Sequence, residues 1–153
     1  MSGRRGNKLS GQFIAHTRAM RESAAWRALP DNARRVLDRL ELEHMAHGGA
    51  ANGKLVCTYT DFAKWGIRRR SIPLAIRQAV ALGFLEVTRR GYITSGDFKA
   101  PSTYRLTYVF GADSRLDGSP TNEWEAIDAD AVRCRLAQVQ CANGSEADRR
   151  KAA

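Results

Sequence analysis

The sequence predicts an α+β domain in which two short helices joined by a tight turn are followed by a two-stranded antiparallel hairpin. Apolar residues recur at helical spacing up to Gly83, and strand-like runs of apolar and β-branched residues follow. With 153 residues, 43% of them hydrophobic, the chain can form one modest domain with tails. The predicted domain covers residues 23–110, between a flexible basic arm over residues 1–22 and a tail over residues 111–153.

Capping residues and apolar spacing predict the two helices that precede this motif. Ser23 is a favourable N-cap for a short helix over residues 24–29. The next helix is predicted over residues 31–46, where apolar residues recur at i, i+3, i+4 and i+7 from Ala33. Asp31 suits the positive end of this helix, and the two glycines that follow it end it.

The first helix of the helix-turn-helix is predicted over residues 59–65. Either Thr58 or Thr60 provides the N-cap. Gly66 ends the helix, because glycine adopts the left-handed conformation of a C-cap without strain. The large aromatic residues predicted for the core are Trp26, Phe62 and Trp65.

The second helix is predicted to begin at Arg69 or Ser71 and to end before Gly83. Pro73 is compatible with this prediction, because a backbone N–H in the first turn has no partner within the helix. The apolar stripe predicted to face the core consists of Ile72, Ile76, Ala79 and Val80. The outer side is predicted to hold Arg70, Leu74, Arg77 and Gln78.

The hairpin and the tail complete the predicted architecture. Residues 84–88 are predicted as one strand and residues 104–108 as its antiparallel partner, with a long loop between them. After Phe110 the composition turns to Gly, Asp, Ser and Pro, and a short helix is predicted near residues 128–140. The apolar side of that helix is predicted to hold Val132, Leu136 and Val139.

The formal charge of +9 is unevenly distributed along the chain. Residues 1–110 carry 19 basic and 8 acidic side chains, whereas residues 111–153 carry 6 basic and 8 acidic ones. A basic body suits a polyanionic partner, because Lys and Arg displace counterions from a nucleic acid. A membrane surface is less favoured, since no helix pairs a cationic face with a bulky apolar one. A basic protein without such a partner is the alternative that charge alone leaves open.

Cysteine usage and the lack of targeting segments predict a cytoplasmic protein. The three cysteines are odd in number and form no CxxC pair. Cys57 lies in an apolar run and is predicted to be buried, whereas Cys134 and Cys141 are too far apart on a helix for a disulfide. No apolar run approaches the ~20 residues of a transmembrane helix, and no signal-type segment follows the N-terminus.

The run of Arg68, Arg69 and Arg70 at the start of the second helix is the strongest candidate site. Arginine donates paired hydrogen bonds to guanine and also contacts phosphate. Because successive helical residues step by about 100°, one or two of the three are expected to read bases while the others contact the backbone. A solvated helix start is the alternative. Gln78 is a weaker candidate for reading adenine, and an ordinary exposed glutamine is as good an interpretation.

Other patterns carry weaker signals. The segment from Arg89 to Tyr92 forms a candidate hairpin tip, for which charge retained only for solubility is the alternative. Glu41, His44 and His47 are spaced i, i+3 and i+6, but without a further ligand they do not predict a metal site. No sequence motif of a hydrolase, a metalloprotease or a nucleotide-binding protein is found, so neither an enzyme nor a cofactor is predicted.

Several of these segments stand in the order typical of a known family. They are Trp26-Arg-Ala-Leu, Asn52-Gly-Lys-Leu, Tyr59-Thr-Asp-Phe, Ser71-Ile-Pro-Leu-Ala-Ile-Arg, Gly83-Phe-Leu-Glu-Val and Tyr104-Arg-Leu-Thr. Over residues 23–110 the chain resembles the small winged helix-turn-helix proteins of bacteria, including those on plasmids, phages and integrated elements. It is also similar to the winged domains of replication initiators.

The resemblance implies a three-helix core with a small β-hairpin wing, in which the third helix reads the major groove of DNA. It implies DNA-binding residues in the reading helix and the wing, namely Arg68, Arg69, Arg70, Ser71, Leu74, Arg77 and Gln78, and Arg89, Arg90 and Tyr92. Many proteins of this family bind two half-sites as homodimers. The tail helix is a candidate dimer contact, and a flexible tail is an equally good interpretation.

Three functions follow from these expectations. The first is sequence-specific binding of double-stranded DNA by a transcriptional regulator. The second is a replication or recombination accessory protein of a plasmid, phage or integrated element. The third belongs to another class, a winged helix used as a protein-interaction module whose arginines meet an acidic partner.

Overall fold

The described part of the chain combines six α-helices with a small antiparallel sheet, which confirms the predicted α+β class. The computed structural model describes residues 10–93, 99–111 and 118–152. The helices are α1 (Arg18–Glu22), α2 (Ala24–Arg27), α3 (Asp31–Ala46), α4 (Tyr59–Lys64), α5 (Ile72–Ala81) and α6 (Ala129–Ala152). The strands are β1 (Leu55–Val56), β2 (Leu85–Arg89), β3 (Tyr92–Ile93), β4 (Lys99–Ala100) and β5 (Thr103–Leu106). Two 3-10 turns, Arg69–Ser71 and Glu123–Ala126, precede α5 and α6.

The sheet has the strand order β1-β5-β2, with both pairs antiparallel. Leu85 of β2 pairs with Leu106 of β5, so the apolar residues of both strands reach the core. The register shifts between Val87 and Arg89, which is a β-bulge that bends the hairpin. Beyond the bulge the hairpin continues as the β3–β4 pair, an element that the sequence predicted as loop.

Local chemistry fixes the ends of α3 and α4. The helix predicted over residues 31–46 is confirmed as α3 with both ends unchanged. Of the two cap candidates for α4, the structure selects Thr58. Its side chain accepts a hydrogen bond from the Asp61 N–H at 3.2 Å, and the Asp61 carboxylate accepts one from the Thr58 N–H at 2.8 Å. This reciprocal capping box satisfies two backbone donors that the helix leaves without partners.

Gly66 and Gly83 end α4 and α5 in the same way, with backbone φ of +89° and +79°. After α4, the Gly66 N–H donates to the Ala63 carbonyl and the Ile67 N–H donates to the Phe62 carbonyl, which is the Schellman pattern. Ile67 is thereby turned into the core. The turn that joins α4 to α5 is therefore short and fixed, as the sequence predicted.

The core lies between α3, α5 and the sheet, and Phe84 is at its aromatic centre. The ring of Phe84 lies 5.3 Å from that of Trp26, 6.1 Å from that of Tyr108 and 6.3 Å from that of Trp124. α3 packs against both α4 and α5. Trp26 and Phe62 are buried as predicted, and so is Cys57.

The structure differs from the predicted arm and tail, because described residues of both segments pack into the core. The last part of the predicted arm is ordered on the domain: α1 begins after the N-cap Thr17, and Met20 is only 2% exposed. In the tail, Trp124 and Val132 lie in the core. The tail helix, predicted near residues 128–140, is longer and reaches Ala152. The first nine residues lie outside the described part of the chain.

Two predicted core residues are exposed instead. The Trp65 side chain is 42% exposed, because the chain leaves α4 there and Ile67 fills the core position. Val80 is 39% exposed, and Ala75 takes its place in the buried stripe of α5. Helical spacing alone could not separate Val80 from Ala75, since both lie at the border of the apolar side.

Candidate nucleic-acid interface

The three arginines predicted as the main site lie exposed at the start of α5. Arg68 precedes the 3-10 turn formed by Arg69, Arg70 and Ser71. Arg69 Nη2 donates a hydrogen bond to Thr60 Oγ1 at 2.7 Å, which joins this turn to the first turn of α4. Within the described residues none of the three arginines forms an ion pair. Their charges are therefore available to an anionic partner.

The hairpin beyond the bulge carries a second group of exposed cations. Arg89 and Arg90 are both exposed. The Arg89 guanidinium lies 5.9 Å from the centre of the Tyr92 ring, within cation–π range, and Tyr92 itself is 52% exposed. Lys99 on β4 is also exposed. The loop between β3 and β4 lies outside the described residues.

A groove of about 1230 Å³ lies between α5 and the hairpin, and residues of both elements line it. It is lined by α5 residues, including Pro73 and Arg77, and by hairpin residues, including Arg90 and Tyr92. Tyr59 lies at the groove, and its neighbour Thr60 binds Arg69. The residues that line its apolar floor include Ile76, Val80, Leu85 and Val87. Its charged lining consists of Arg77, Arg90, Lys99 and Arg135 together with Glu86 and Glu123. The arginine turn therefore reaches the groove only through the first turn of α4, where Thr60 binds Arg69 and Tyr59 lines the groove.

The outer side of α5 is less accessible than the sequence suggested. Arg77 does not face solvent freely: its Nη2 donates to Asn143 Oδ1 at 2.7 Å, and its Nη1 pairs with Glu146 Oε2 at 3.1 Å. Both partners belong to α6. Its Nε is buried without a hydrogen-bond partner among the described residues. The remaining candidates on this helix, Ser71, Leu74 and Gln78, are half-buried.

Three residues at this surface were missed by sequence reasoning. Tyr59 and Thr60 are exposed in the first turn of α4, next to the arginine turn. Their signal was present, since polar residues at the start of the first helix of a helix-turn-helix are well placed for phosphate. Arg135 on α6 is also at the groove, where it donates to the Ala81 carbonyl at 3.1 Å. Only the tertiary fold brings Arg135 there.

A polar cluster lies away from this surface, between α3 and the N-terminal segment. Glu41 Oε1 accepts hydrogen bonds from His16 Nε2 at 2.8 Å and from the Tyr108 hydroxyl at 2.5 Å. The three side chains with metal-ligand spacing on α3 do not converge: His47 contacts Glu43 rather than Glu41. Burial lowers the pKa of the remaining one, His44. The described residues contain no group of three or more potential metal ligands. The cluster holds the N-terminal segment on α3.

None of the three cysteines forms a disulfide bond. Burial raises the pKa of the Cys57 thiol to about 12, so this thiol is a packing residue. Cys134 and Cys141 are free and exposed on α6. Among the described residues, no helix has both the length and the apolar character needed to cross a membrane.

Protein-family models, curated proteins and solved structures were compared with this chain, and none of them matches it. The geometry of the site therefore has to define its class. It consists of three exposed arginines in the turn between α4 and α5, next to a groove that is lined by α5 and by the hairpin with its exposed cations.

Proposed function

We propose that this protein is a winged helix-turn-helix that binds double-stranded DNA sequence-specifically and acts as a transcriptional regulator. The observation that carries the proposal is the group of exposed arginines before α5, which is joined through Thr60 and Tyr59 to a groove that the basic hairpin also lines. The turn between α4 and α5, fixed by the Gly66 cap, supports it as well. On this proposal the β2–β5 hairpin is the wing.

In this arrangement the start of α5 enters the major groove, which is ~12 Å wide and accommodates one helix. Arg69 and Arg70 reach base edges or phosphates from the 3-10 turn. Thr60 and Tyr59 contact the backbone on one side, and Arg89 and Arg90 of the wing contact it on the other. The guanidinium groups supply both the sequence readout and the position on the duplex.

The first test is selection of bound sequences from a random pool of duplex DNA at a stated salt concentration, followed by affinity measurement on the selected site. The variant Arg69→Ala/Arg70→Ala is expected to weaken binding at least tenfold, since each paired contact with a base contributes about 1–3 kcal/mol. The matched control is Arg18→Ala/Arg27→Ala, which removes the same charge from α1 and α2, outside the groove.

Equal losses in the two double variants would mean that charge alone drives binding, and sequence-specific recognition by α5 would be refuted. A palindromic selected site, with half-sites 10–10.5 base pairs apart or a multiple of this, would indicate a homodimer. Sites at promoters support the regulator. Sites at an origin or an attachment site assign the same contacts to a replication or recombination role. No affinity for duplex DNA at low salt, together with an acidic protein partner, would indicate an interaction module.

A further inference from the structure

Helix α6 lies across the side of α5 that faces away from the core. The core side of α5 is marked by its buried residues, Ile72, Ala75, Ile76 and Ala79. At 100° per residue, Arg77 and Ala81 are at the centre of the opposite side. Both are in contact with α6: Arg77 binds Asn143 and Glu146, and the Ala81 carbonyl accepts from Arg135.

The two halves of α6 are attached very differently. In its first two turns Val132 is 6% exposed within the core and Leu136 packs against the core. Beyond them, Gln138, Val139 and Ala142 line the groove of about 1230 Å³. This second half binds α5 through the two polar bonds of Arg77 with Asn143 and Glu146, and the side chains of Arg77 and Glu146 are 36% and 44% exposed.

The second half of α6 is also intrinsically weak as a helix. Asn143, Gly144 and Ser145 follow one another, and all three have low helix propensity. A Cβ built on Gly144 would meet nothing within 4 Å, so packing does not require a glycine there. A helix of this composition depends on its docking contacts to stay in place.

This position conflicts with insertion of α5 into DNA. A helix with its side chains is ~10–12 Å in diameter, and the major groove is ~12 Å wide. A second helix packed at the usual 8–10 Å between axes cannot enter with the first. The Glu146 carboxylate also forms an ion pair with the Arg77 guanidinium. A DNA phosphate would have to displace this carboxylate to bind the same guanidinium.

We propose that residues 140–152 form a detachable cover that competes with duplex DNA for the outer side of α5. Release of this cover exposes Arg77 and opens the groove between α5 and the hairpin. The first half of α6 stays anchored by Val132 and Leu136. The proposal rests on the proposed DNA-binding function and adds its regulation: the docking equilibrium of α6 sets the apparent affinity for DNA, since only the open fraction binds fully.

Two full-length variants weaken the docking contacts of the cover. Asn143→Ala removes the 2.7 Å bond without changing the net charge. Glu146→Gln removes the ion pair and adds one positive charge, so its matched control is Asp130→Asn, which makes the same charge change at the other end of α6. Each docking variant is expected to tighten binding of the selected duplex about two- to fivefold, as the loss of a partly exposed polar contact allows. The control is expected to change it less.

Hydrogen exchange of the full-length protein gives a readout of the cover itself. Addition of the selected duplex is expected to reduce protection in residues 143–152 while residues 130–138 stay protected. Increased protection in residues 143–152 would show that α6 joins the DNA interface instead, and would overturn the proposal. Unchanged affinity in both docking variants would also overturn it.

The failure of this inference is distinguishable from failure of the DNA-binding proposal. If Arg69→Ala/Arg70→Ala abolishes binding while the docking variants have no effect, only the cover is refuted. If neither the original protein nor the docking variants bind duplex DNA, both proposals are refuted.

Discussion

At the scale of single residues, short polar contacts decide where the elements of the site begin. The Thr58 hydroxyl donates to the Asp61 carboxylate at 2.6 Å, and the Thr58 backbone N–H donates to it at 2.8 Å. These bonds lower the pKa of Asp61 below its ordinary value. The capping box therefore fixes the first turn of α4, where Thr60 meets Arg69.

The Thr58→Ala variant is expected to lose about 1 kcal/mol of unfolding free energy, the usual contribution of an N-cap. Urea unfolding monitored by circular dichroism measures the change. Thr58→Ser is the control, because serine keeps the hydroxyl that caps the helix. A Thr58→Ser loss as large as that of Thr58→Ala would contradict the assignment of the cap.

The same carboxylate predicts a pH dependence of stability. Because folding lowers the pKa of the Asp61 carboxyl below its ordinary value, the stabilising effect of the carboxylate is complete well above that ordinary value. The effect is lost as the pH falls through the folded pKa. The difference in unfolding free energy between the original protein and Asp61→Asn is thus expected to be constant near neutrality and to shrink at acidic pH. A difference that grows on acidification would contradict this sign.

At the scale of elements, the end of α5 is fixed against the segment that leads into α6. A Cβ built on Gly83 would lie 2.6 Å from the Trp124 backbone nitrogen and 2.8 Å from the Glu123 carbonyl carbon. Arg105 holds the same segment from the sheet, where its buried guanidinium binds Glu86, Thr121 and Glu123. The start of α6 is therefore tied to both α5 and the sheet.

Gly83→Ala is expected to destabilise the protein by more than 2 kcal/mol, because it adds a backbone clash to the strain of a positive φ. Gly48→Ala is the matched control: its φ is +61°, and a Cβ there would meet nothing within 4 Å. The control is expected to show only the conformational strain, about 1 kcal/mol. Thermal unfolding of the two variants separates the clash from the strain, and equal losses would contradict the close approach to Trp124.

At the scale of the whole molecule, the segments at both ends of the predicted domain complete its core. Met20 precedes the predicted domain and Trp124 follows it, and both are buried. Trp124 stacks on Phe84 with an angle of 9° between the rings. The segments outside the predicted domain therefore complete the core on which α5 packs. The segment that contains Trp124 also leads into α6, which contacts α5.

Trp124→Ala is expected to cost about 3–5 kcal/mol of stability, as removal of a buried aromatic side chain does. Phe110→Ala is the control from the same part of the chain, since its ring is 70% exposed, and its effect is expected to stay within about 0.5 kcal/mol. Chemical denaturation measures both. A small effect of Trp124→Ala would show that residues after 110 are not part of the cooperative unit.

The sequence by itself determined the local elements, because capping residues, glycines and apolar periodicity act within a few residues of one another. It predicted α3, the turn at Gly66, the exposed arginine run and the strands on either side of the long loop. The positions of Trp65 and Val80 depended on which neighbours filled the core, and local spacing carries no such information.

Only the tertiary structure decided which residues contact Arg77 on the outer side of α5. The pairing of Arg77 with Asn143 and Glu146 joins residues more than sixty positions apart. The last turns of α6 have no apolar stripe in the sequence from which packing against another helix could be predicted. The burial of Met20 and Trp124 likewise depends on a core assembled from distant segments. Such contacts form only when the whole chain packs, because each one is too weak to be specified by its own local sequence.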